Sequence, residues 1–313
     1  MSKRYGILGA GALGGLYGSL LDKAQFDVSY FVNSDYKHLK EHGWKIESVW
    51  GDFQIKEPNV FNSVDDWIPV DVLCIGLKGF HNYLLPELLP KLVRPDGIII
   101  LWQNGIGVEE AISEWMPEAT ILGGLCFLCS NKAGPGHIKH LDYGAIRLGI
   151  HTKDRLPIVE SEVLIDIAKD LRTAKIPTDI VNDLFLARWQ KLCWNIPFNG
   201  LSALLDVDTK ELVDDPDMVS LATEMMHELQ GAVGKWDKEL SDAFIKKMIQ
   251  DTFEMKPYEP SMLLDRRNKR PLELGVIFEQ PLKFAAIKGL HLPRIHTLYR
   301  QLKFLNEKNL KAN

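Results

Sequence analysis

The sequence predicts an α/β protein in two parts: an N-terminal Rossmann-type doubly wound parallel sheet over residues 1–183, then an all-helical C-terminal domain over residues 184–313. Three observations predict it. Short apolar runs alternate with amphipathic helical segments through the first half. A glycine cluster, Gly9-Ala10-Gly11-Ala12-Leu13-Gly14, falls between the first such run and the first such helix. Beyond about residue 183 the strand candidates cease while the helical period persists. A chain of 313 residues also suits two domains of roughly 100–200 residues each.

Tyr5–Leu8 reads as the first strand, Leu13–Lys23 as a helix and Asp27–Val32 as the second strand. Val70–Leu77 and Gly97–Trp102 are short apolar runs bounded by Asp, Gly and Pro, the pattern of parallel strands buried on both faces, with a helix over Tyr83–Leu92 between them. Ile121–Cys129, His137–His140 and Ala145–Gly149 are further strand candidates, and Glu160–Ala174 has helical period. In the second half Leu184–Leu205, Asp217–Trp236, Ser241–Asp251, Pro260–Asn268 and Leu272–Lys288 are helical, and Asn306–Asn313 is expected to fray.

Composition narrows the function. A net charge of −5 without any long Lys/Arg run argues against nucleic acid or anionic lipid as the main partner. No apolar stretch approaches the ~18–20 residues of a membrane span. The start Met1-Ser2-Lys3-Arg4 is charged like a secretion signal, but the glycines that follow interrupt the apolar run such a signal needs. Four cysteines in so long a chain fit a reducing cytoplasm. The pair Cys126 and Cys129 lacks the further Cys or His ligands of a zinc site, so no metal is expected.

The glycine cluster fits G-x-G-x-x-G in the setting that gives the motif meaning, after a strand and opening a helix. Gly9 permits the tight turn, Gly11 lets backbone approach a pyrophosphate, and Gly14 lets the helix pack close to the strand. The helix N-terminus then offers N–H groups and a positive dipole end to phosphates. The second strand ends in Val32-Asn33-Ser34, with Asp35 only later. No acid therefore meets the ribose 2′ position, where NAD sites carry one, and Asn33 and Ser34 could donate to a 2′-phosphate. Lys78 and Asn104 follow the strand candidates Val70–Leu77 and Gly97–Trp102 and so fall at the strand ends where ligands bind in such sheets.

The segment from Arg188 to Ser202 carries a second signal. Lys191, Asn195 and Asn199 recur at i, i+4 and i+8, on one face of a helix whose other positions are mostly apolar. Asn is a poor helix former and Pro197 disturbs the backbone bond four residues back. The stripe reads either as a solvated face or as the lining of a cleft with Lys191 as general acid.

Together these residues resemble the ketopantoate reductase family over nearly the whole chain. The resemblance is carried by Gly9–Gly14, Leu77-Lys78, Asn104-Gly105, Lys191-x3-Asn195-x3-Asn199, Pro260-Ser261-Met262-Leu263, Glu273 and Gly289-Leu290-His291-Leu292-Pro293. It implies NADPH-dependent reduction of 2-dehydropantoate to pantoate in pantothenate synthesis, in the cytoplasm, with a small 2-oxo acid as substrate and a homodimer as an open option. It implies Lys191 as the acid that protonates the alkoxide, with Glu273 beside the reacting centre and the cofactor. Asn195 and Asn199 would hold the substrate's polar groups, Ser261 its carboxylate, and Asn104 both nicotinamide and substrate. Gly9, Ala10, Gly11, Ala12, Leu13 and Gly14 would hold the pyrophosphate, while Asn33, Lys78 and Ser130 would border the cofactor. The family usually carries Arg where this chain has Asn33, so the NADPH preference should be modest. After Glu273 it often reads Ile-Asp and then Asn-Gly, where this chain has Leu274-Gly275 and Phe278-Glu279. Another branched 2-oxo acid, or a cofactor-binding redox sensor without turnover, are the competing readings; the intact Lys191, Asn195, Glu273 and Ser261 set counts against the sensor.

Overall fold

The computed structural model describes residues 3–311. The chain divides into two compact units, one comprising residues through Asn104 and Val108–Leu184, the other Gly105–Gly107 and Phe185 onward. The first unit is built around one sheet. Its elements in order are β1 (Arg4–Leu8), α1 (Ala12–Lys23), β2 (Asp27–Phe31), α2 (Tyr36–His42), β3 (Trp44–Ser48), β4 (Phe53–Ile55), β5 (Asn59–Phe61), β6 (Val70–Ile75), a 3-10 turn (Gly79–Leu84), α3 (Leu85–Leu92), β7 (Val93–Leu101), α4 (Val108–Trp115), β8 (Thr120–Gly134), β9 (His137–Ile150), α5 (Glu162–Thr173) and β10 (Thr178–Ile180).

The strand order is β4-β3-β9-β8-β7-β6-β1-β2-β5, with β10 also paired to β9. β1 is flanked by β6 and β2, and the ladders from β8 through to β5 are all parallel. The chain therefore reverses its winding direction at β1, the switch point outside whose strand ends such sheets bind ligands. Tyr5, Ile7, Val72, Cys74 and Ile100 are fully buried, as strands covered on both faces require.

The sheet is mixed where the sequence suggested a parallel one. β8 and β9 form a long antiparallel hairpin, and β3 and β4 pair antiparallel. His137–His140 and Ala145–Gly149, read as two strands, are one. Between them Tyr143 and Gly144 take positive φ (57° and 122°) at a register shift, so the interruption in the sequence is a bulge and not a break. The helix expected over Tyr83–Leu92 starts as a 3-10 turn and becomes α only at Leu85, where Pro86 can occupy the first turn without losing a bond.

The second unit is helical: α6 (Leu184–Trp194), a π segment (Asn195–Asn199), α7 (Gly200–Leu205), α8 (Thr209–Asp214), α9 (Pro216–Gly234), α10 (Asp242–Glu254), α11 (Ser261–Arg267), a second π segment (Gly275–Glu279), α12 (Gln280–Ile287) and α13 (Pro293–Lys311). The first π segment contains Pro197, and Pro281 lies two residues past the end of the second. A proline cannot donate to the carbonyl four residues back and its ring crowds it, and widening the turn relieves both. The two π segments pack on each other and α11 packs on the first. The expected fraying of the C-terminus does not occur over residues 306–311, which are helical. Asn306 Oδ1 accepts the Leu272 N–H at 2.9 Å and Asn309 donates to the Arg266 carbonyl at 3.2 Å. Residues 312 and 313, like Met1 and Ser2, lie outside the described residues. Among those described, no helix is long and apolar enough to cross a membrane.

Candidate active site

Each unit carries its own set of candidate residues. In the first, Gly9–Gly14, Asn33, Lys78 and Asn104 follow β1, β2, β6 and β7 respectively, four parallel neighbours whose C-terminal ends share one sheet edge. Gly9 has φ of 106°, a conformation open to glycine, and its N–H donates to the Phe31 carbonyl at 3.2 Å. A Cβ at Gly14 would collide with the Gly9 carbonyl oxygen, and one at Gly76 would stand 3.1 Å from the Gly14 nitrogen. Three glycines thus let α1, the β1 turn and the end of β6 close on one another.

Gly11 differs, because the nearest atom to a Cβ there is the Gly76 carbonyl oxygen at 3.8 Å. It is the N-cap of α1 and no side chain caps that helix. Ala10, Gly11, Ala12 and Leu13 are partly exposed. The first turn of a 12-residue helix therefore presents N–H groups across a space that the chain leaves open, which is the cradle a pyrophosphate needs.

The flanking positions are held by residues the sequence did not single out. Gln103, 3% exposed, donates from Nε2 to the Leu77 carbonyl at 2.8 Å and to Asn82 Oδ1 at 2.7 Å. It ties the loop bearing half-buried Lys78 to the end of β7, next to Asn104. Asn33 and Ser34 are exposed. Asp35 is buried, its carboxylate bound by Lys132 and the Gly136 N–H. Ser130 lies in the β8–β9 hairpin opposite His140, its hydroxyl buried without a partner among the described residues. Gln103 and Lys132 carry no motif, since their roles come from tertiary hydrogen bonds.

In the second unit Lys191 is half-buried on α6, and Asn195 and Asn199 bracket the first π segment, 5% and 3% exposed. The stripe is therefore not a solvated face. Neighbouring Cys193 faces the core, where burial pushes its thiol up to about 12 and leaves it inert. Asn199 Nδ2 donates to Asn195 Oδ1 at 3.3 Å, while Asn199 Oδ1 accepts the Met262 N–H at 3.3 Å and, at 3.5 Å, the Ser261 hydroxyl. Asn199 thus pins the start of α11 and orients Asn195. The Asn195 Nδ2 group, buried, has no protein partner among the described residues. Glu273, 4% exposed, precedes the second π segment. Within the same unit Ile106 donates to the Val276 carbonyl at 3.2 Å, and Gly105, with φ of 92°, packs so closely on Val276 that a Cβ would collide with it.

The four cysteines are free, and no group of three or more His, Cys, Asp or Glu among the described residues is placed to hold a metal. What the arrangement offers is a backbone cradle for a dinucleotide in one unit, and in the other a lysine with a buried amide donor one helical turn further along.

The family model described as Ketopantoate reductase PanE/ApbA matches residues 5–153, and its C-terminal counterpart matches residues 183–306. A 2-dehydropantoate 2-reductase from Nostoc sp. (strain PCC 7120) is 44% identical over 307 residues, spanning 98% of this chain and 96% of the relative. The crystal structure of 2-dehydropantoate 2-reductase from Geobacter metallireducens GS-15 superposes with a TM-score of 0.89 at 35% identity, covering 96% of this chain and 99% of that one. The ternary structure of D-mandelate dehydrogenase with NADH and anilino(oxo)acetate has a TM-score of 0.87 at 20% identity, over 98% and 99% of the two chains, and shares the fold.

Proposed function

The chain belongs to the ketopantoate reductase family, and on that premise we propose that it reduces 2-dehydropantoate to pantoate with NADPH, a step of pantothenate synthesis. It is a pyridine-nucleotide-dependent oxidoreductase of a small molecule; the substrate, the 2′-phosphate and every residue role are the proposal. We assign the dinucleotide to the first unit and substrate chemistry to the second. The cytoplasm, where its four thiols stay reduced, is the compartment that fits.

When bound, the reduced nicotinamide cofactor would supply the hydride for the ketone carbon. Gly9–Gly14 would accommodate its pyrophosphate; Asn33, Lys78 and Ser130 would border it, and Asn104 would serve both nicotinamide and substrate. Charge then develops on the ketone oxygen. Lys191 holds an ammonium proton at Nζ, stabilises that charge and delivers the proton as the alkoxide forms. In this reading Glu273 would stand beside the reacting centre and the cofactor, and Ser261 would offer its hydroxyl to the carboxylate.

The observation that carries the proposal is the buried Asn195 amide. An unpaired buried donor costs roughly 1–3 kcal/mol, and here it stands one turn beyond a lysine in a segment whose other positions are mostly apolar. A substrate with an acceptor beyond its 2-oxo acid group settles that cost. 2-Dehydropantoate has one, a primary hydroxyl on its branched carbon. Steady-state assay with NADPH across a panel of 2-oxo acids should give the highest kcat/KM for 2-dehydropantoate. A higher value for a hydroxyl-free acid would refute the proposal.

A second reading, another branched 2-oxo acid, draws on Gly275. Where the family often has Ile-Asp, this chain has Leu274-Gly275, and a Cβ at Gly275 would meet nothing within 4 Å. The missing carboxylate leaves room for a different acid. The same panel separates the two.

A further inference from the structure

We propose that Lys132 sets the cofactor preference of the first unit by holding Asp35 out of reach of the adenosine ribose. The inference rests on the dinucleotide reading above and concerns which nicotinamide cofactor that unit selects.

Counting forward from Gly14, Asp35 falls about 20 residues on, the distance at which NAD sites carry the acid that accepts from the ribose 2′-hydroxyl. By count alone this chain has an NAD acid. The structure shows it already engaged. Asp35 Oδ1 accepts from Lys132 Nζ at 2.6 Å and from the Ser34 hydroxyl at 3.0 Å, and Oδ2 accepts the Gly136 N–H at 3.1 Å. Both oxygens are used, and the residue is 2% exposed. Burial alone would raise its pKa, but the Lys132 ammonium, the Gly136 N–H and the Ser34 hydroxyl outweigh it and hold the carboxyl below its ordinary value. It is an anion with its charge balanced.

Lys132 and Gly136 both come from the β8–β9 hairpin, far in sequence from β2. The hairpin turn is fixed in its own right, because Lys45 donates its N–H to the Gly136 carbonyl at 2.8 Å. It therefore clamps Asp35 from a firm base. What remains exposed after β2 is Asn33 and Ser34, a polar surface with no uncompensated negative charge. A 2′-phosphate meets no repulsion there, even though the family's usual Arg is replaced by Asn33.

Without its ammonium partner, Asp35 would keep the Ser34 hydroxyl and the Gly136 N–H but carry an uncompensated negative charge immediately behind Ser34. It could turn outward to accept a ribose 2′-hydroxyl, and it would repel a 2′-phosphate. Lys132 is on this argument a positioning residue, acting through Asp35 and not by touching the reacting atoms.

The test is cofactor binding, read by quenching of tryptophan fluorescence on titration of the full-length protein with NADPH and with NADH. Lys132→Met, which keeps the apolar stem, should raise the Kd for NADPH about tenfold, the scale of one unit charge within ~10 Å of a phosphate in a partly solvated site. Its Kd for NADH should hold or fall. Asp35→Asn in the Lys132→Met background should return NADPH affinity to near the wild-type value, because the repelling charge is gone. Equal weakening of both cofactors, or no rescue by the second substitution, would show that the pair merely braces the hairpin and would overturn the proposal. Should Lys132→Met fail to fold, Asp35→Asn alone decides: it leaves the Lys132 charge in place, so the ratio of NADPH to NADH affinity must hold or rise, and a fall overturns the proposal. The wild-type ratio tests the NADPH reading separately, since a chain that bound NADH more tightly would refute that reading while the selectivity of the Lys132 variant still judged this one.

Discussion

The glycine loop of the first unit and the polar stripe of the second are specified in opposite ways. At the loop, the proposed cofactor site depends on side chains that are missing. Gly14 and Gly76 let backbone meet backbone, and Gly11 keeps a space clear. At the stripe, the proposed substrate site depends on polar side chains placed among apolar ones, and the protein itself engages part of their bonding capacity. Asn199 commits its carbonyl to α11 and donates from its amino group to Asn195, and the buried Asn195 amino group has no partner among the described residues. A site made of backbone is sensitive to any added atom. A site made of side chains is sensitive to which hydrogen bond each one already makes.

The sharpest way to break this comparison is to show that the two units do not divide the work. Lys191→Ala should lower kcat by about 10²–10⁴-fold, the usual scale for losing positioned proton transfer, while the Kd for NADPH stays put. A parallel loss of cofactor affinity would mean that the stripe also builds the cofactor site. In the loop, Gly11→Val should weaken cofactor binding by about 100-fold or more, the loss of about two hydrogen bonds to a charged phosphate, in a protein that folds normally. Gly14→Ala should instead lower the melting temperature, because its methyl group meets the Gly9 carbonyl and nothing mobile can yield. If Gly11→Val unfolded the protein and Gly14→Ala did not, the assignment of open and closed glycines would be reversed.

How much of each region could be read in the sequence follows from the same contrast. The loop was legible because its physics is local: a strand, a fixed glycine spacing and a helix start lie within Tyr5–Lys23. The stripe was legible as an anomaly, two asparagines and a proline where a helix would not choose them. Its π geometry was not, because the widening answers Pro197 only in the presence of the packed neighbours that hold the turn. The antiparallel hairpin was missed for a similar reason, since a bulge at Tyr143-Gly144 reads as a break until the partner strand is seen. Gln103 and Lys132 were invisible: their partners lie 21 and 97 residues away, and a single sequence holds no trace of such pairs.

A finer test asks whether the leftover Asn195 group is what selects the substrate. With 3,3-dimethyl-2-oxobutanoate, which lacks the hydroxyl of 2-dehydropantoate, the amide would stay unpaired and kcat/KM should fall about tenfold or more. Asn195→Ala should bring the two acids closer together, by weakening the better substrate more than the poorer one. Should the gap persist in that variant, the hydroxyl is read by some other group and the comparison loses its second half.

The smallest effect should come from Asn199, and it should differ in kind. Its carbonyl oxygen satisfies the Met262 N–H at the first turn of α11, one of the four donors a helix start cannot satisfy itself. Asn199→Ala strands that buried N–H and leaves a small void, at a cost of about 1–3 kcal/mol of stability. Catalysis should suffer only through slackening of the neighbours that Asn199 orients, Asn195 and the Ser261 hydroxyl, so KM should rise modestly with kcat nearly kept. Asn199→Asp makes the argument stricter. It keeps an oxygen for Met262 and Ser261 but replaces the donor to Asn195 with a second acceptor. It should therefore keep more of the stability lost in the alanine variant while repelling the Asn195 carbonyl, which turns the Asn195 amide and again raises KM. Thermal unfolding and steady-state kinetics on the two variants separate these contributions. If both variants instead lost kcat as steeply as Lys191→Ala, Asn199 would belong with the groups that act on the reacting atoms, and the inference that its bonding capacity is already spent within the protein would fail.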